Sequence, residues 1–437
     1  MAILILTFIV RLIFVAILKP DGFYFSDTRH YDTAALHLLA GDGFGEKYNR
    51  SPVYPVYMAL TYAVFGHSFV AMRFVETLLG VFLVWLIYHI ARKAFNEKIA
   101  MISALLAALF PHFIILAGLL YPTNLFTVLL ASSVYFMIKS EETDARRYLI
   151  LSAISSGLAT LTIPSMLFVL PFWLLLLMVR TQQSAQYNFV RTLAFCFIIL
   201  LTLTPWTIRN FQKYDRLTLV RPVPHTAFPN LDDLDAQRQR IESGFEDTTD
   251  YLKNNPLGSD DDKIGNILGS YIRHPIRSIQ YLFSELGHFW ALYPDRLDTQ
   301  SKAYQQKIQK KDHRLVSVKS LMWNIAIIAS IAVMLPVFAF ALFGLIVSRP
   351  VDRKKLLLLF TVVGMSVGYS LIYAEVRYRI PIEPYVLMFS AAGIARFSEF
   401  VHAAREKRQV RHNSNNMRQS TRALHPSWDN HLTGTKK

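Results

Sequence analysis

The sequence predicts an all-α polytopic membrane protein, with a bundle of about ten transmembrane helices, interfacial helices in the first outer loop and a small extracytoplasmic domain. Only 18% of the 437 residues are charged, whereas soluble domains carry roughly 25%. Hydrophobic residues make up 53% of the chain. They fall in blocks close to the ~20 residues that a helix needs to cross a bilayer. This pattern excludes a cytosolic enzyme, a secreted disulfide scaffold and a disordered chain.

Ten apolar blocks are predicted to span the membrane. They lie near residues 1–18, 69–91, 99–117, 121–138, 148–162, 164–180, 191–207, 321–347, 356–373 and 381–398. A further block at 51–66 has Pro52 and Pro55 at its start and is too short to cross comfortably. We therefore predict that it is a helix lying at the interface.

The basic residues predict the orientation of the bundle. With 51–66 left out of the count and the N-terminus inside, the inner segments carry the Lys and Arg clusters, at 92–98, 139–147, 180–191, 349–355 and 405–411. The short outer connections at 118–121 and 163 carry none. The positive-inside rule thus favours both termini in the cytoplasm. A multi-pass protein of the bacterial inner (plasma) membrane is expected, and a location in the endoplasmic reticulum stays open.

The predicted spans divide the chain into four regions. They are an N-terminal transmembrane bundle at 1–207 with a long first outer loop at 19–68, an extracytoplasmic domain at 208–320, C-terminal transmembrane helices at 321–400, and a basic, disordered cytoplasmic tail at 401–437. The tail is poor in aliphatic residues and rich in polar ones, which is typical of disorder. The net charge of +15 lies in the topology signals and the tail, without a nucleic-acid-binding motif. No nucleic acid partner is therefore expected.

The sequence predicts no metal site and no cofactor. The single cysteine, Cys196, lies in an apolar run, so that an internal disulfide or a cysteine metal cluster is ruled out. The acidic run Asp260, Asp261 and Asp262 lacks the alternating ligands and the glycine of a calcium loop. A divalent cation bound in another way stays open.

The first outer loop contains the candidate catalytic acid. Ser26 is placed to cap a short helix, and Asp27 falls in its first turn, where the helix dipole favours an anion. Leu36 and Leu39 give this helix an apolar face for the bilayer. Asp27 would then lie at headgroup depth, where a base could meet a membrane-held substrate. From the residue alone, a capping carboxylate without chemistry is the alternative.

Arginines recur at the outer ends of separate spans, where topology disfavours them. Arg50 precedes the interfacial helix, and Arg209 follows the seventh span. Arg377 and Arg379 lie between the last two spans. A lipid phosphate would explain them, because a guanidinium donates two hydrogen bonds to phosphate oxygens and stays charged. Snorkelling of each side chain to the headgroups is the alternative.

The first two predicted spans contain charged residues. Arg11, in the first span, is expected to face the bundle interior, because a charge exposed to lipid is costly. Arg73 and Glu76 are one helical turn apart near the outer end of the second span and are expected to pair.

Taken together, these residues resemble the GT-C membrane glycosyltransferases. The narrower resemblance is to the protein mannosyltransferase and aminoarabinose transferase superfamily (glycosyltransferase family 39-like). It rests on four features in this order: Asp27 near the start of a long outer loop, Arg-x-Pro-x-Tyr-Pro from Arg50, Pro-Trp-x-x-Arg-Asn from Pro205, and Arg-Tyr-x-x-Pro from Arg377. The resemblance covers roughly 1–210 and 320–400, and the domain at 208–320 has no match.

The resemblance implies a GT-C-like bundle that moves a sugar from a polyprenyl-phosphate-linked donor to a hydroxyl acceptor on a protein, lipid or glycan. The transfer would take place at the extracytoplasmic face, in contact with the lipid bilayer, and would be inverting. Asp27 becomes the general base. The candidates for binding the donor and its phosphate are Arg50, Tyr54, Arg209, Arg377, Tyr378 and Arg379.

The sequence departs from the family pattern at two positions. Thr28 stands where an acid often follows the first aspartate, and Thr123 stands where an acid often opens the fourth span. A second catalytic acid would have to be Asp32 or Asp42, or be absent.

Two other functions stay open. A flippase or transporter for lipid-linked glycans would also need outer arginines, but it would be expected to have more polar residues at mid-membrane. An oligosaccharide polymerase or ligase would transfer a whole glycan from a diphosphate lipid, and the segment at 208–320 keeps that alternative open.

Overall fold

The structure is a computed structural model. It describes residues 1–25, 27–46, 48–179, 183–214, 218, 220, 269–293, 310 and 320–423. Most of the predicted extracytoplasmic domain, including the acidic run at 260–262, therefore lies outside the described residues. The described regular elements are helices, as the sequence predicts.

The helices follow one another in the order α1 Ala2–Ala16, α2 Asp27–Ala40, α3 Val53–Phe65, α4 Phe69–Ala94, α5 Glu97–Leu109, α6 Pro111–Leu119, α7 Thr123–Thr143, α8 Arg146–Thr162, α9 Met166–Met178, α10 Ala185–Tyr214, α11 Pro275–Phe289, α12 Ser320–Val347, α13 Arg353–Ile372, α14 Val376–Arg379 and α15 Glu383–Ala423. A 3₁₀ turn, Ile380–Ile382, joins the last two. Polar side chains cap several of them. Ser68 accepts from the amide of Ala71, and Asp352 accepts from that of Lys355.

Four of the described helices are long and apolar enough to cross a membrane, which makes the chain an integral membrane protein. They are α4, α10, the part of α12 at Ile327–Val347, and α13. Helices α5 and α6, bent by 48° at their junction, make a fifth if they form one span. Helices α1, α3 and α9 are apolar but shorter. Each predicted span coincides with a helix or with this bent pair, but the count of ten is not confirmed.

An ion-pair network joins α4, α7 and α13 at one end of the bundle, here called the basic end. Glu142 of α7 lies 2.5 Å from Nζ of Lys93 and 2.8 Å from Nζ of Lys354. Its neighbour Glu141 lies 2.9 Å from Nε of Arg353. Basic clusters that the sequence assigned to separate inner loops are thus brought together. The opposite end holds the start of α2 and the start of α7.

Arg11 repairs the break between α5 and α6. Pro111 has no amide hydrogen, so the carbonyl of Ala107 cannot receive its usual helical hydrogen bond. Arg11, which is fully buried, donates to that carbonyl (3.3 Å) and to the carbonyl of Ala108 (3.1 Å). Backbone groups inside a membrane must be satisfied by the protein itself. The predicted inward orientation of Arg11 is confirmed, and its partners are backbone oxygens.

Arg73 and Glu76 do not pair as expected. Arg73 turns toward the start of the first loop and donates to the carbonyls of Lys19 and Pro20, both at 2.9 Å. Glu76 turns into the bundle and accepts from Asn124 Nδ2 at 2.6 Å. Arg73 is thus bound to backbone carbonyls of the adjacent loop, and the carboxylate one turn away has other partners.

The last helix differs from the disordered tail that composition predicted. Helix α15 continues through Ala423, and its side chains at 402–409 are exposed. This segment is rich in Ala, Arg, Glu, Lys and Gln, which favour helix without any packing partner. Residues 424–437 lie outside the described residues.

Candidate active site

Asp27 is the first residue of α2, at the end of the bundle opposite the basic end. This end is called the site end below. The hydroxyl of Thr28 anchors the start of α2 by donating to the carbonyl of Leu120 at 3.1 Å. The Asp27 side chain is 33% exposed, so it faces an accessible space. The predicted cap, Ser26, lies outside the described residues.

Two side chains from distant parts of the chain contact the Asp27 carboxylate. Nη2 of Arg50 lies 3.0 Å from Oδ1, and the hydroxyl of Tyr121 donates to Oδ2 at 3.4 Å. Burial alone would raise the pKa of Asp27, but the charges of Arg50 and Arg377 outweigh it and hold the pKa below its usual value. Asp27 is therefore an anion at neutral pH.

A cluster of three tyrosine rings packs next to the pair of Asp27 and Arg50. The guanidinium of Arg50 lies over the ring of Tyr31, 5.8 Å from its centroid. The ring of Tyr31 packs edge-on against those of Tyr54 and Tyr121. Tyr54 is fully buried, and its hydroxyl donates to Glu76 at 3.1 Å. Tyr54 therefore supports the site, with its hydroxyl turned away from Asp27.

Arg377 brings a second cation to the same site from α14. Its Nε lies 2.5 Å from Glu375 Oε2, and its side chain is 36% exposed. Nη2 donates to the hydroxyl of Tyr378 at 3.2 Å. The Tyr378 ring stacks on that of Tyr369, with centroids 4.6 Å apart. Arg377 is thus an accessible cation in a fixed frame of aromatic rings.

Arg209 braces the loop that leads to Arg50. Its Nη2 donates to the carbonyl of Tyr48 at 3.1 Å, and its guanidinium lies 4.5 Å from the ring centroid of Trp206. Trp206 in turn packs edge-on against Phe44. The Pro-Trp-x-x-Arg-Asn motif therefore holds the backbone two residues before Arg50. This geometry favours a positioning role for Arg209 over direct contact with a phosphate.

Arg379 differs from Arg377 although both belong to one short helix. It is fully buried, its Nε lies 3.2 Å from Glu383 Oε1, and its Nη1 donates to the carbonyls of Phe289 and Ala291. Glu383 also lies 2.8 Å from Nδ1 of His112. These contacts favour a structural role for Arg379 over donor binding.

Neither alternative acid joins Asp27. Asp32 is 2% exposed and accepts from the hydroxyl of Tyr62 at 2.9 Å, with Nε2 of His67 at 2.8 Å. Its position five residues after Asp27 turns it to another face of α2. Asp42 is 66% exposed and lies 3.5 Å from His37 Nδ1. The carboxylate in direct contact with Arg377 is that of Glu375.

Sequence reasoning missed Tyr31, Tyr121 and Glu375. Tyr121 lies on a short outer connection, and aromatic residues at span ends are typical of the interface. Glu375 lies two residues before Arg377 in the sequence, so that an ion pair between the two could have been predicted. Among the described residues, no group of three or more His, Cys, Asp or Glu is placed to hold a metal ion. Asp27 and Glu375 are each next to an arginine instead.

The comparisons with known proteins agree with this fold. Residues 49–207 match the sequence model of the family described as dolichyl-phosphate-mannose-protein mannosyltransferase. The chain resembles ArnT from Cupriavidus metallidurans bound to undecaprenyl phosphate, with a TM-score of 0.56 and 13% identity over 90% of this chain and 60% of that one. It also resembles the archaeal oligosaccharyltransferase AglB from Archaeoglobus fulgidus in complex with an inhibitory peptide and a dolichol-phosphate. That TM-score is 0.56 with 13% identity, over 94% of this chain and 51% of AglB.

A search of curated proteins gave no match. The chain spans between half and three fifths of the length of these two solved structures. Its fold is that of the GT-C glycosyltransferases. The narrower resemblance, to the protein mannosyltransferase and aminoarabinose transferase superfamily, is confirmed for residues 49–207, the segment that the family model matches and that contains Arg50, Tyr54 and Tyr121.

Proposed function

We propose that the chain is a membrane glycosyltransferase that moves a sugar from a polyprenyl-phosphate-linked donor to a hydroxyl acceptor at its site end. The observation that carries this proposal is the pairing of Asp27 with Arg50, close to the second cation Arg377. An ionised carboxylate next to two arginines supplies both a base and a binding site for phosphate.

The proposed reaction is a single displacement. Asp27 takes the proton of the acceptor hydroxyl while the acceptor oxygen forms a bond to C1 of the sugar. The bond between C1 and the phosphate oxygen breaks, and the lipid phosphate leaves with the electron pair. Attack opposite the phosphate inverts the anomeric centre. Negative charge grows on the leaving phosphate, so arginines next to it stabilise the transition state more than the ground state.

Arg50 and Arg377 are the proposed phosphate ligands. Each guanidinium has five N–H donors. The contact of Arg50 with Asp27 involves Nη2, which leaves other donors for a phosphate. ArnT and AglB were solved with undecaprenyl phosphate and with dolichol-phosphate, respectively, and the latter also with an inhibitory peptide. These ligands support a lipid phosphate as the donor carrier. Tyr378 would line the same site, whereas Arg209 and Arg379 would position it.

The site end is proposed to face the extracytoplasmic side. The basic end carries Lys93, Arg353 and Lys354, and clustered Lys and Arg mark the cytoplasmic side of membrane proteins. A donor sugar would then be used on the face where its polyprenyl carrier presents it.

The test compares wild type with Asp27→Asn in detergent, with polyprenyl monophosphate sugars and acceptor extracts. We expect transfer to fall about 10²–10⁴-fold while donor binding is retained, because the substitution removes only the base. Asp32→Asn is the matched control, since Asp32 faces Tyr62 and His67, and we expect it to retain transfer. Equal transfer by Asp27→Asn and wild type would contradict the proposal. Donor binding without turnover by either protein would favour a flippase, and turnover only with diphosphate-linked oligosaccharides would favour a ligase.

A further inference from the structure

Helix α11 has a surface divided into three sectors. Tyr281, Glu285 and Phe289, at intervals of four residues, form its buried side. Ile276, Ile279 and Phe283 are 71%, 56% and 65% exposed, and at intervals of three and four residues they form a second stripe, here called the apolar strip. The remaining exposed positions include Arg277, Gln280 and Ser284, which are polar. Of the exposed surface of α11, only the polar sector is therefore suited to contact with water.

The buried side fixes α11 at the end of a membrane span. The hydroxyl of Tyr281 donates to the carbonyl of Ile372, which is the last residue of α13. Just before α11, the hydroxyl of Tyr271 donates to the carbonyl of Leu371 at 3.2 Å. Glu285 accepts from the amide of Ala374 at 2.7 Å. Because α13 crosses the membrane and ends here, α11 is held at the depth where hydrocarbon meets headgroups.

The apolar strip is continuous with the lipid-facing side of α13. Val367 and Leu371, on the last turns of that span, are 39% and 38% exposed. A groove between the two helices is lined by Ile279, Leu282 and Leu371 and by four residues with hydroxyl groups, Tyr271, Ser278, Tyr281 and Ser370. Each of these hydroxyls donates to a backbone carbonyl. The hydrophobic surface of the span therefore extends onto α11 across a groove whose hydroxyl groups are already hydrogen-bonded.

We propose that α11 lies in the bilayer leaflet at the site end, with Ile276, Ile279 and Phe283 among the acyl chains. An amphipathic helix in this position buries its apolar face at the boundary between headgroups and acyl chains. Arg277, next to the strip, is placed to contact anionic headgroups. The occupant of the exposed face is thus the lipid of that leaflet. This proposal does not depend on the proposed function.

The same helix touches the candidate active site. The carbonyl of Phe289 accepts from Arg379, and the Phe289 ring stacks on that of Tyr369, which stacks on Tyr378. Insertion of α11 would thus set the depth of the loop that carries Arg377 relative to the membrane surface.

The test places spin labels on both exposed sectors of α11 in the full chain. Cys196 is the single cysteine, so Cys196→Ser gives a background for single cysteines. Phe283→Cys and Ser284→Cys are adjacent in sequence but lie in different sectors, and Ile276→Cys with Arg277→Cys forms a second pair of this kind. Each labelled protein is placed in nanodiscs of phosphatidylethanolamine and phosphatidylglycerol. Collision rates are measured with oxygen, which concentrates in hydrocarbon, and with a water-soluble nickel chelate.

We expect labels at 276 and 283 to collide mainly with oxygen, and labels at 277 and 284 mainly with nickel. Nickel dominance at all four positions would place the helix in water and overturn the proposal. Low collision rates with both reagents at 276 and 283 would mean that protein covers the strip, for instance residues 221–268 of this chain, and would also overturn it. All four substitutions are at exposed positions, and size-exclusion chromatography checks that each variant stays folded.

Discussion

Asp27 and Arg50 form an ion pair in which each residue stabilises the charged form of the other. Burial works against the charge on Asp27, and the nearby arginines restore it. A general base must be deprotonated, so activity is lost as the pH falls through its pKa. A base with a lowered pKa keeps its activity into the acid range.

Arg50→Gln is expected to move this acid limit upward. The substitution removes the nearest cation and leaves the burial, so the pKa of Asp27 rises. The acid limb of the kcat/KM profile, which reports the free enzyme, should then shift toward neutral pH. The measurement is kcat/KM against pH for wild type and variant.

Arg209→Gln is the control for that experiment. Its contacts are with Tyr48, Asn210 and Trp206, so it should lower the rate through the loop without moving the acid limb. An unmoved limb in Arg50→Gln, or an equal shift in both variants, would contradict the assignment of Asp27 as the base.

The four predicted arginines show what the sequence can and cannot predict about single residues. Motif and topology identify all four, but they do not predict which group each arginine contacts. Arg379 has a signal of its own, because Glu383 follows it at the helical spacing of four residues. Arg209 has none, since its acceptor is a backbone carbonyl 161 residues away. The contact between Arg50 and Asp27 likewise depends on the path of the loop between them.

Among the elements, α12 and α15 cross at two glycines. A Cβ added to Gly344 would lie 1.8 Å from the carbonyl oxygen of Phe389, and one added to Gly393 would lie 2.2 Å from that of Phe340. Both neighbours are backbone atoms, which cannot rotate away. The two helices therefore approach as closely as they do only because neither residue has a side chain.

Gly344→Ala is expected to destabilise the protein by about 1–3 kcal/mol, the usual cost of overpacking. Thermal unfolding in detergent measures the effect as a lower Tm. Gly287→Ala is the matched control, because a Cβ there meets nothing within 4 Å and alanine favours helix over glycine. A Tm for Gly344→Ala at or above that of Gly287→Ala would show that the two helices do not cross in this way.

The positions of the helices could be predicted from the apolar blocks, but the break in the third span was not predicted. Pro111 is the signal for that break, because it cannot continue the hydrogen bonds of α5. Arg11, which donates to the unpaired carbonyl of Ala107, lies 96 residues before that residue, and the packing of α1 against α5 brings the two together. The continuation of α15 to Ala423 was missed because the scarcity of aliphatic residues in the tail indicated disorder, although its Ala, Arg, Glu, Lys and Gln residues favour helix.

On the scale of the whole molecule, two separate clusters of charged residues lie at opposite ends of the bundle. The basic end holds Lys93, Arg353 and Lys354 around Glu141 and Glu142. Asp27, with its arginines, lies at the site end. The sequence could predict the basic end because the positive-inside rule applies to each loop separately, without knowledge of packing. The number of spans is harder to predict, because length and apolarity alone identify only four or five spans among the described helices.

The proposed orientation places the site end at the extracytoplasmic face of the membrane and the basic end at the cytoplasmic face. In a Cys196→Ser background, Glu46→Cys lies on an exposed loop of the site end, and Gln183→Cys lies on an exposed turn between α9 and α10 at the basic end. A membrane-impermeant maleimide should label the first in intact bacterial spheroplasts, and the second only after lysis. Labelling of both after lysis is the control for reactivity. The reverse pattern would put the site in the cytoplasm, where a lipid-linked sugar presented outside could not reach Asp27.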